Sequence, residues 1–285
     1  MSRIVFVNGE YLKEEDAKVS IFDRGFLMAD AVYEVTTVVD GKLIDYPGHI
    51  ERLHRSLHEL EMDSPEWIDD LCEIHKELIK HNNLTNGLIY LQVSRGVADR
   101  DFAYTEEGTP TSLILFTQAK DPLENALIEK GARVIVVPDQ RWGRRDIKTT
   151  QLLYPTMAKM TAKKAGFDDA WMEEDGFITE GTSNNTWIVT KDGKLVTRHL
   201  SHSILHGITR KATIRCAELL QMEVEERPYT VEEAQDAVEA FFTSASAFVC
   251  PVVEINRVLI GDGKPGPVVQ KLREIYLEEA MKAAL

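Results

Sequence analysis

Apolar and polar residues alternate at the start of the chain, where Ile4-Val5-Phe6-Val7 runs into Asn8-Gly9 and resumes at Tyr11-Leu12. A period of two broken by Asn-Gly predicts a β-hairpin. A second β-rich run, Tyr33 to Val39, stops at Asp40-Gly41 before Lys42-Leu43-Ile44 and predicts another. From Pro47 the spacing changes to three and four: Ile50, Leu53, Leu57 and Leu60 form one stripe of a helix. Trp67, Leu71, Ile74 and Leu78 predict a second amphipathic helix over 65–81. Strands follow at 88–93 and 112–116. These elements make an α+β lobe over residues 1–118, and 119–131, which holds Asp121-Pro122, reads as the connecting segment.

A larger lobe is expected over 132–285. It opens on the apolar run Val134-Ile135-Val136-Val137, with further strands at 169–172 and 186–189. Helices are predicted over 152–165 and 209–221, the latter with Ala212, Cys216, Leu219 and Leu220 on one face. Residues 239–249 read as a single strand, and 267–285 as an amphipathic helix. Hairpins outnumber strict βαβ alternation, so the pattern favours α+β lobes over a doubly wound sheet.

Composition narrows the function. Of 285 residues, 44% are hydrophobic, enough for one sizeable core or two modest ones. Lys plus Arg number 33 against 47 Asp plus Glu, a net charge of −14 that disfavours nucleic acid and anionic membranes as partners. No apolar run approaches the ~20 residues of a membrane span, and the N-terminus lacks a signal-peptide core. Cys72, Cys216 and Cys250 are too widely spaced for a disulfide framework or a zinc site. The expectation is a soluble cytoplasmic protein without a metal.

Four segments carry chemistry. The stretch Arg141-Trp142-Gly143-Arg144-Arg145-Asp146-Ile147-Lys148 is either a solvated basic loop or one side of a pocket. In the second case burial and neighbouring cations disfavour the ammonium form of Lys148. A lysine tuned toward ~7–8 serves as nucleophile and proton carrier. Glu180 stands where an apolar strand ends in a glycine-bearing corner, either exposed or turned inward to hold a protonated heterocycle. In Ile204-Leu205-His206-Gly207-Ile208-Thr209-Arg210, Gly207 allows close backbone approach and Thr209 is placed to cap a helix whose N–H groups attract phosphate. An ordinary capped helix reads equally well. Thr243-Ser244-Ala245-Ser246 is a second run of small and hydroxyl residues. A Schiff-base lysine, a buried acid and two phosphate-friendly corners are what pyridoxal phosphate requires.

The order of these segments resembles the class IV, fold-type IV pyridoxal-phosphate aminotransferases, and most closely the D-amino-acid transaminases. The resemblance rests on Asp30-Ala31-Val32-Tyr33-Glu34-Val35, His49-Ile50-Glu51-Arg52-Leu53, Val93-Ser94-Arg95-Gly96 and Asp146-Ile147-Lys148. It continues through Thr179-Glu180-Gly181, Ser183-Asn184, Gly207-Ile208-Thr209-Arg210 and Thr243-Ser244. It implies a small α+β N-terminal lobe and a larger lobe with a β-barrel-like sheet. It makes Lys148 the catalytic lysine that bears the cofactor, and Glu180 the partner of the pyridine nitrogen. Arg52, Ile208, Thr209, Ser244 and Ala245 would surround the phosphate, with Leu205 beneath the ring. Tyr33, Tyr90, Arg100 and Phe102 would meet the substrate.

Two positions depart from the pattern. Arg100-Asp101-Phe102 stands where an Arg-x-His pair often receives the substrate carboxylate, and Ala245 stands where a second hydroxyl often meets the phosphate. The activity implied is ping-pong transfer of an amino group from a D-amino acid to a 2-oxo acid, by a homodimer. Rival readings are an (R)-selective amine transaminase, a branched-chain L-amino-acid transaminase, an aminodeoxychorismate lyase, and a catalytically silent small-molecule binding protein. Tyr33-Glu34-Val35-Thr36-Thr37, in place of a Phe-Glu-Gly-x-Arg pattern, counts against the branched-chain reading. Lys148 and Glu180 count against the silent one.

Overall fold

In the computed structural model, which describes residues 2–285, the early apolar runs pair into one antiparallel sheet. Its strands are β1 (Ile4–Val7), β2 (Glu10–Lys13), β3 (Ala31–Val39), β4 (Lys42–Leu43), β5 (Gly87–Ser94) and β6 (Ser112–Gln118). Their order is β2-β1-β6-β5-β3-β4. Asn8 and Gly9 both take positive φ, 48° and 94°, as the first hairpin turn requires. A short helix, α1 (Arg24–Met28), precedes β3. Helix α2 (Tyr46–Glu59) buries Leu53 and Leu57 of its predicted stripe.

The next helix, α3 (Leu71–His81), starts six residues later than the periodicity suggested. Trp67 sits edge-on to Phe6, with ring centroids 6.0 Å apart, so it anchors a loop and a 3-10 turn at Ile68–Asp70 instead of a helical face.

The second sheet holds β7 (Ala132–Pro138), β8 (Asp169–Glu174), β9 (Phe177–Gly181), β10 (Asn185–Val189), β11 (Leu195–Thr197), β12 (Val224–Glu226), β13 (Glu239–Ser244), β14 (Phe248–Ile255) and β15 (Val258–Leu259). The order is β12-β11-β10-β13-β14-β7-β8-β9, with β15 beside β14. Strand β9 is the last in this order, yet a three-residue turn carries it into β10 near the other end. The Gly181 N–H donates to the Asn184 carbonyl at 2.8 Å across that turn. So short a link forces the sheet to curl into a half-barrel around Trp171, Ile178, Ile188, Phe242 and Ile255. Its helices are α4 (Ala126–Lys130), α5 (Leu153–Lys164), α6 (Ile208–Leu219), α7 (Val231–Gln235) and α8 (Pro267–Lys282).

The apolar run at 239–249 is a hairpin rather than one strand. Residues 245–247 turn, and Ser244 pairs with Phe248. Both arms face the same core, so their hydrophobic pattern does not register the reversal. No helix of the described residues is long and apolar enough to cross a membrane.

The chain divides into two compact units. The first takes the chain up to Pro122 together with Ile147–Gln151 and Ala283–Leu285; the second takes Leu123–Asp146 and Leu152–Lys282. A cut by sequence at 119–131 differs from this at two places, both for backbone reasons. The Tyr33 N–H donates to the Lys148 carbonyl and the Thr150 N–H to the Ala31 carbonyl, each at 3.0 Å, which joins Lys148 to the first sheet. Leu43 and Leu285 exchange backbone hydrogen bonds of 2.8 and 3.2 Å.

Candidate active site

In the first unit, Lys148 is half-buried and its Nζ lies 4.1 Å from the centroid of the Tyr33 ring. The β3–β5 register sets Tyr33 opposite Gln92 and Val35 opposite Tyr90, so the two tyrosines are diagonal neighbours on one face. Their rings stack at 5.5 Å, Tyr90 stacks on Phe116 at 4.9 Å, and the Tyr90 hydroxyl donates to Gln92 Oε1 at 2.8 Å. Burial raises the Tyr90 phenol, which stays protonated and able to donate.

Glu34 points to the opposite face of β3, toward α2. Arg52 grips it with both sides of its fork, Nε to Oε1 at 2.8 Å and Nη2 to Oε2 at 2.7 Å, and His49 Nδ1 lies 2.7 Å from Oε2. Arg52 is thus buried and held in one orientation. Burial alone would raise the Glu34 carboxyl. The Arg52 charge and the hydrogen bonds from Arg52 and His49 outweigh it and hold the group at about 2.

A folded value below the unfolded one gives stability that is complete above about 4.5 and disappears as pH falls toward 2. The difference corresponds to roughly 3 kcal/mol. Urea unfolding between pH 7 and 2 should therefore show a flatter acid decline for Glu34→Gln than for the native chain. Parallel curves would mean the pair contributes nothing to acid sensitivity.

Arg100 and Phe102 occupy an exposed loop of the same unit, the guanidinium 5.3 Å from the Phe102 ring centroid. The loop is tethered by Arg24, which donates from Nη1 to the Asp101 carbonyl at 2.9 Å and from Nε to Asp30 at 2.8 Å. Arg95 shares that Asp30 carboxylate, also at 2.8 Å.

In the second unit, Glu180 is buried on β9. Its carboxylate receives Arg141 Nη1 at 2.5 Å, Asn185 Nδ2 at 2.8 Å and the Leu205 N–H at 3.1 Å. Burial is the largest influence and raises this carboxyl, while Arg141 and the Leu205 N–H pull against it. Three donors on a group with about four lone-pair sites leave room for one more. The arginines of the basic stretch are all engaged by carboxylates: Arg141 with Asp139 and Glu180, Arg144 with Asp146, and Arg145 with Glu174. A solvated basic loop is not what these residues form.

Asn185 organises the corner. Its Nδ2 also donates to the Leu205 carbonyl at 3.0 Å, and its backbone pairs with Thr243, the neighbour of Ser244. A Cβ on Gly207 would fall 1.9 Å from Asn185 Oδ1, so glycine is required there. Gly207, not Thr209, is the N-cap of α6: Thr209 lies inside the first turn, and no side chain caps the helix. Ile208 and Thr209 therefore present first-turn N–H groups suited to an anion. Ser244 and Ala245 stand at the β13–β14 turn, half-buried.

Taken unit by unit, the chemistry of these donor sets suits pyridoxal phosphate. One unit offers a lysine held against an aromatic face and a fixed buried arginine. The other offers a carboxylate with one vacant acceptor direction, an uncapped helix start and a hydroxyl turn. Sequence reasoning passed over Asn185, Asp139 and Arg141 as site residues and did not foresee that Glu34 grips Arg52. Arg141 headed the basic stretch and Asn185 directly followed Ser183-Asn184, the signals available. Glu34–Arg52 is a contact across 18 residues that no local pattern encodes.

The chain is similar to known proteins over nearly its whole length. The chain is 38% identical over 271 residues to the D-alanine aminotransferase of Staphylococcus haemolyticus, covering 95% of each. Its fold is similar to that of Escherichia coli branched-chain amino acid aminotransferase, with a TM-score of 0.89 and 25% identity over 98% of this chain and 95% of that one. A branched-chain amino acid aminotransferase from T.th., solved with pyridoxamine 5′-phosphate, matches at TM-score 0.89 and 27% identity over 99% and 95%. The model of amino-transferase class IV matches residues 31–255, and the chain belongs to that family of pyridoxal-phosphate enzymes.

Proposed function

We propose that this aminotransferase moves the amino group of a D-amino acid, D-alanine foremost, to a 2-oxo acid in a ping-pong cycle. The observation that carries the reading is the 38% identity to a D-alanine aminotransferase over nearly the whole chain. The bound cofactor supplies the electron sink. Lys148 Nζ is the nucleophile that holds the cofactor and the base that moves the substrate α-proton. Glu180 keeps a proton on the pyridine nitrogen. Arg52 in the first unit, and the first turn of α6, Ser244 and Ala245 in the second, would hold the phosphate, and Leu205 would lie beneath the ring.

A half-reaction screen of paired D- and L-amino acids tests the assignment. Bleaching of the cofactor band by D-alanine and not L-alanine supports it; a preference for L-leucine or L-valine replaces it with the activity named for the solved neighbours.

Tyr33 and Tyr90 wall the substrate side, and Arg100 receives the carboxylate through its fork of donors. Phe102 presents apolar surface where a histidine would bond. Arg100→Ala should cost carboxylate-bearing donors roughly 1.5–3 kcal/mol in kcat/KM and spare 1-phenylethylamine. Equal losses on both would make Arg100 a support for its loop. A homodimer is the assembly we infer, supported by Ile21, Phe26 and Phe102, exposed at 67, 70 and 81% in the first unit. The three free cysteines support a reducing cytoplasm.

A further inference from the structure

We propose that Asp139 is a positioning residue that neutralises Arg141, so that Arg141 can orient Glu180 without cancelling its charge. The inference rests on the reading of Glu180 as partner of the cofactor's pyridine nitrogen.

Arg141 bridges two buried carboxylates. It gives Nε and Nη2 to Asp139, at 2.9 and 2.6 Å, and only Nη1 to Glu180, at 2.5 Å. Asp139 also accepts from the Thr179 hydroxyl at 2.7 Å and from the Arg141 backbone N–H at 3.1 Å. Beyond Asp139 stands Arg145, its Nη1 at 3.6 Å, itself paired twice with Glu174 at 2.8 Å. The order Glu174, Arg145, Asp139, Arg141, Glu180 alternates in sign and ends, net negative, on Glu180.

An arginine facing Glu180 alone would make a neutral pair with little attraction for a cationic ring nitrogen. Asp139 takes two of the three bonds and offsets that positive charge, leaving Glu180 oriented and the charges around Arg141 net negative toward a new cationic donor.

The test loads the full-length enzyme from an equimolar mixture of pyridoxal phosphate and its 1-deaza analogue, in which C–H replaces the ring nitrogen. The ratio retained, read by chromatography of the released cofactors, reports the nitrogen's interaction and is blind to the phosphate and the lysine. Asp139→Asn is expected to lower the preference for the natural cofactor by about tenfold, the range of a charged hydrogen bond. The double variant Asp139→Asn/Arg141→Gln is expected to recover it, because the uncompensated cation is gone. A merely structural Asp139 would show no recovery.

Should Asp139→Asn fail to fold, Arg145→Gln carries the test with the opposite sign. It removes a competing cation from Asp139 and should raise the preference. Glu180→Gln separates the two readings. If it abolishes the preference while Asp139→Asn, or Arg145→Gln in its place, leaves it unchanged, the relay is overturned and the role of Glu180 stands. If Glu180→Gln leaves the preference intact, the underlying reading falls and the relay with it.

Discussion

Lys148→Ala should eliminate transamination, lowering the half-reaction with a D-amino acid by at least about four orders of magnitude. The argument is one of placement. Among the described lysines, Lys148, Lys159 and Lys194 are half-buried and the others exposed. Lys159 is paired with Asp169 at 3.1 Å, and Lys194 with Glu225 at 2.7 Å and Glu223 at 3.1 Å, so carboxylates already engage both amines. Lys148 instead faces the Tyr33 ring, with its backbone fixed by the hydrogen bond from Tyr33. No second lysine is positioned to replace it as nucleophile and proton carrier. Stopped-flow absorbance after mixing with D-alanine measures the effect; a native-like rate in the variant would transfer the role to another residue.

What the sequence disclosed and what it concealed divide along contact range. The hairpin at Asn8-Gly9, the stripe of α2 and the strands flanking it follow from neighbours within a few residues, and periodicity finds them. The turn at 245–247 is hidden because both arms of its hairpin are equally apolar. The membership of Lys148 in the first unit depends on bonds to Ala31 and Tyr33, more than a hundred residues earlier. Local pattern alone made Arg52 a helix residue beside an apolar stripe, and its partner Glu34 belongs to a strand. The chemistry was legible mainly through the joint order of short motifs, each weak by itself. Asp139 and Arg141 act on Glu180 from the end of β7, a strand that neighbours β9 in space through β8 and not in sequence.

Glu180→Gln should slow the same half reaction by about two to four orders of magnitude, the span of a lost proton-holding group. The substitution preserves volume, so the surrounding backbone has no reason to move. Its electrostatic effect is large because Glu180 is surrounded by donors: Arg141 Nη1, Asn185 Nδ2 and the Leu205 N–H. A carboxylate accepts from all of them and from a further N–H. A glutamine has one oxygen, and whichever way it turns, its own NH2 meets another donor. The variant thus loses the charge that favours a protonated ring nitrogen and leaves at least one buried donor unpaired, at a stability cost of about 1–3 kcal/mol. Because the first turn of α6 and Lys148 are untouched, the protein should still bind cofactor and show its absorption band. Slow chemistry in a coloured enzyme is the expected signature. A variant that is coloured and as fast as the native chain would make Glu180 a structural corner of β9, and its hydrogen bonds the means of holding Leu205 in place.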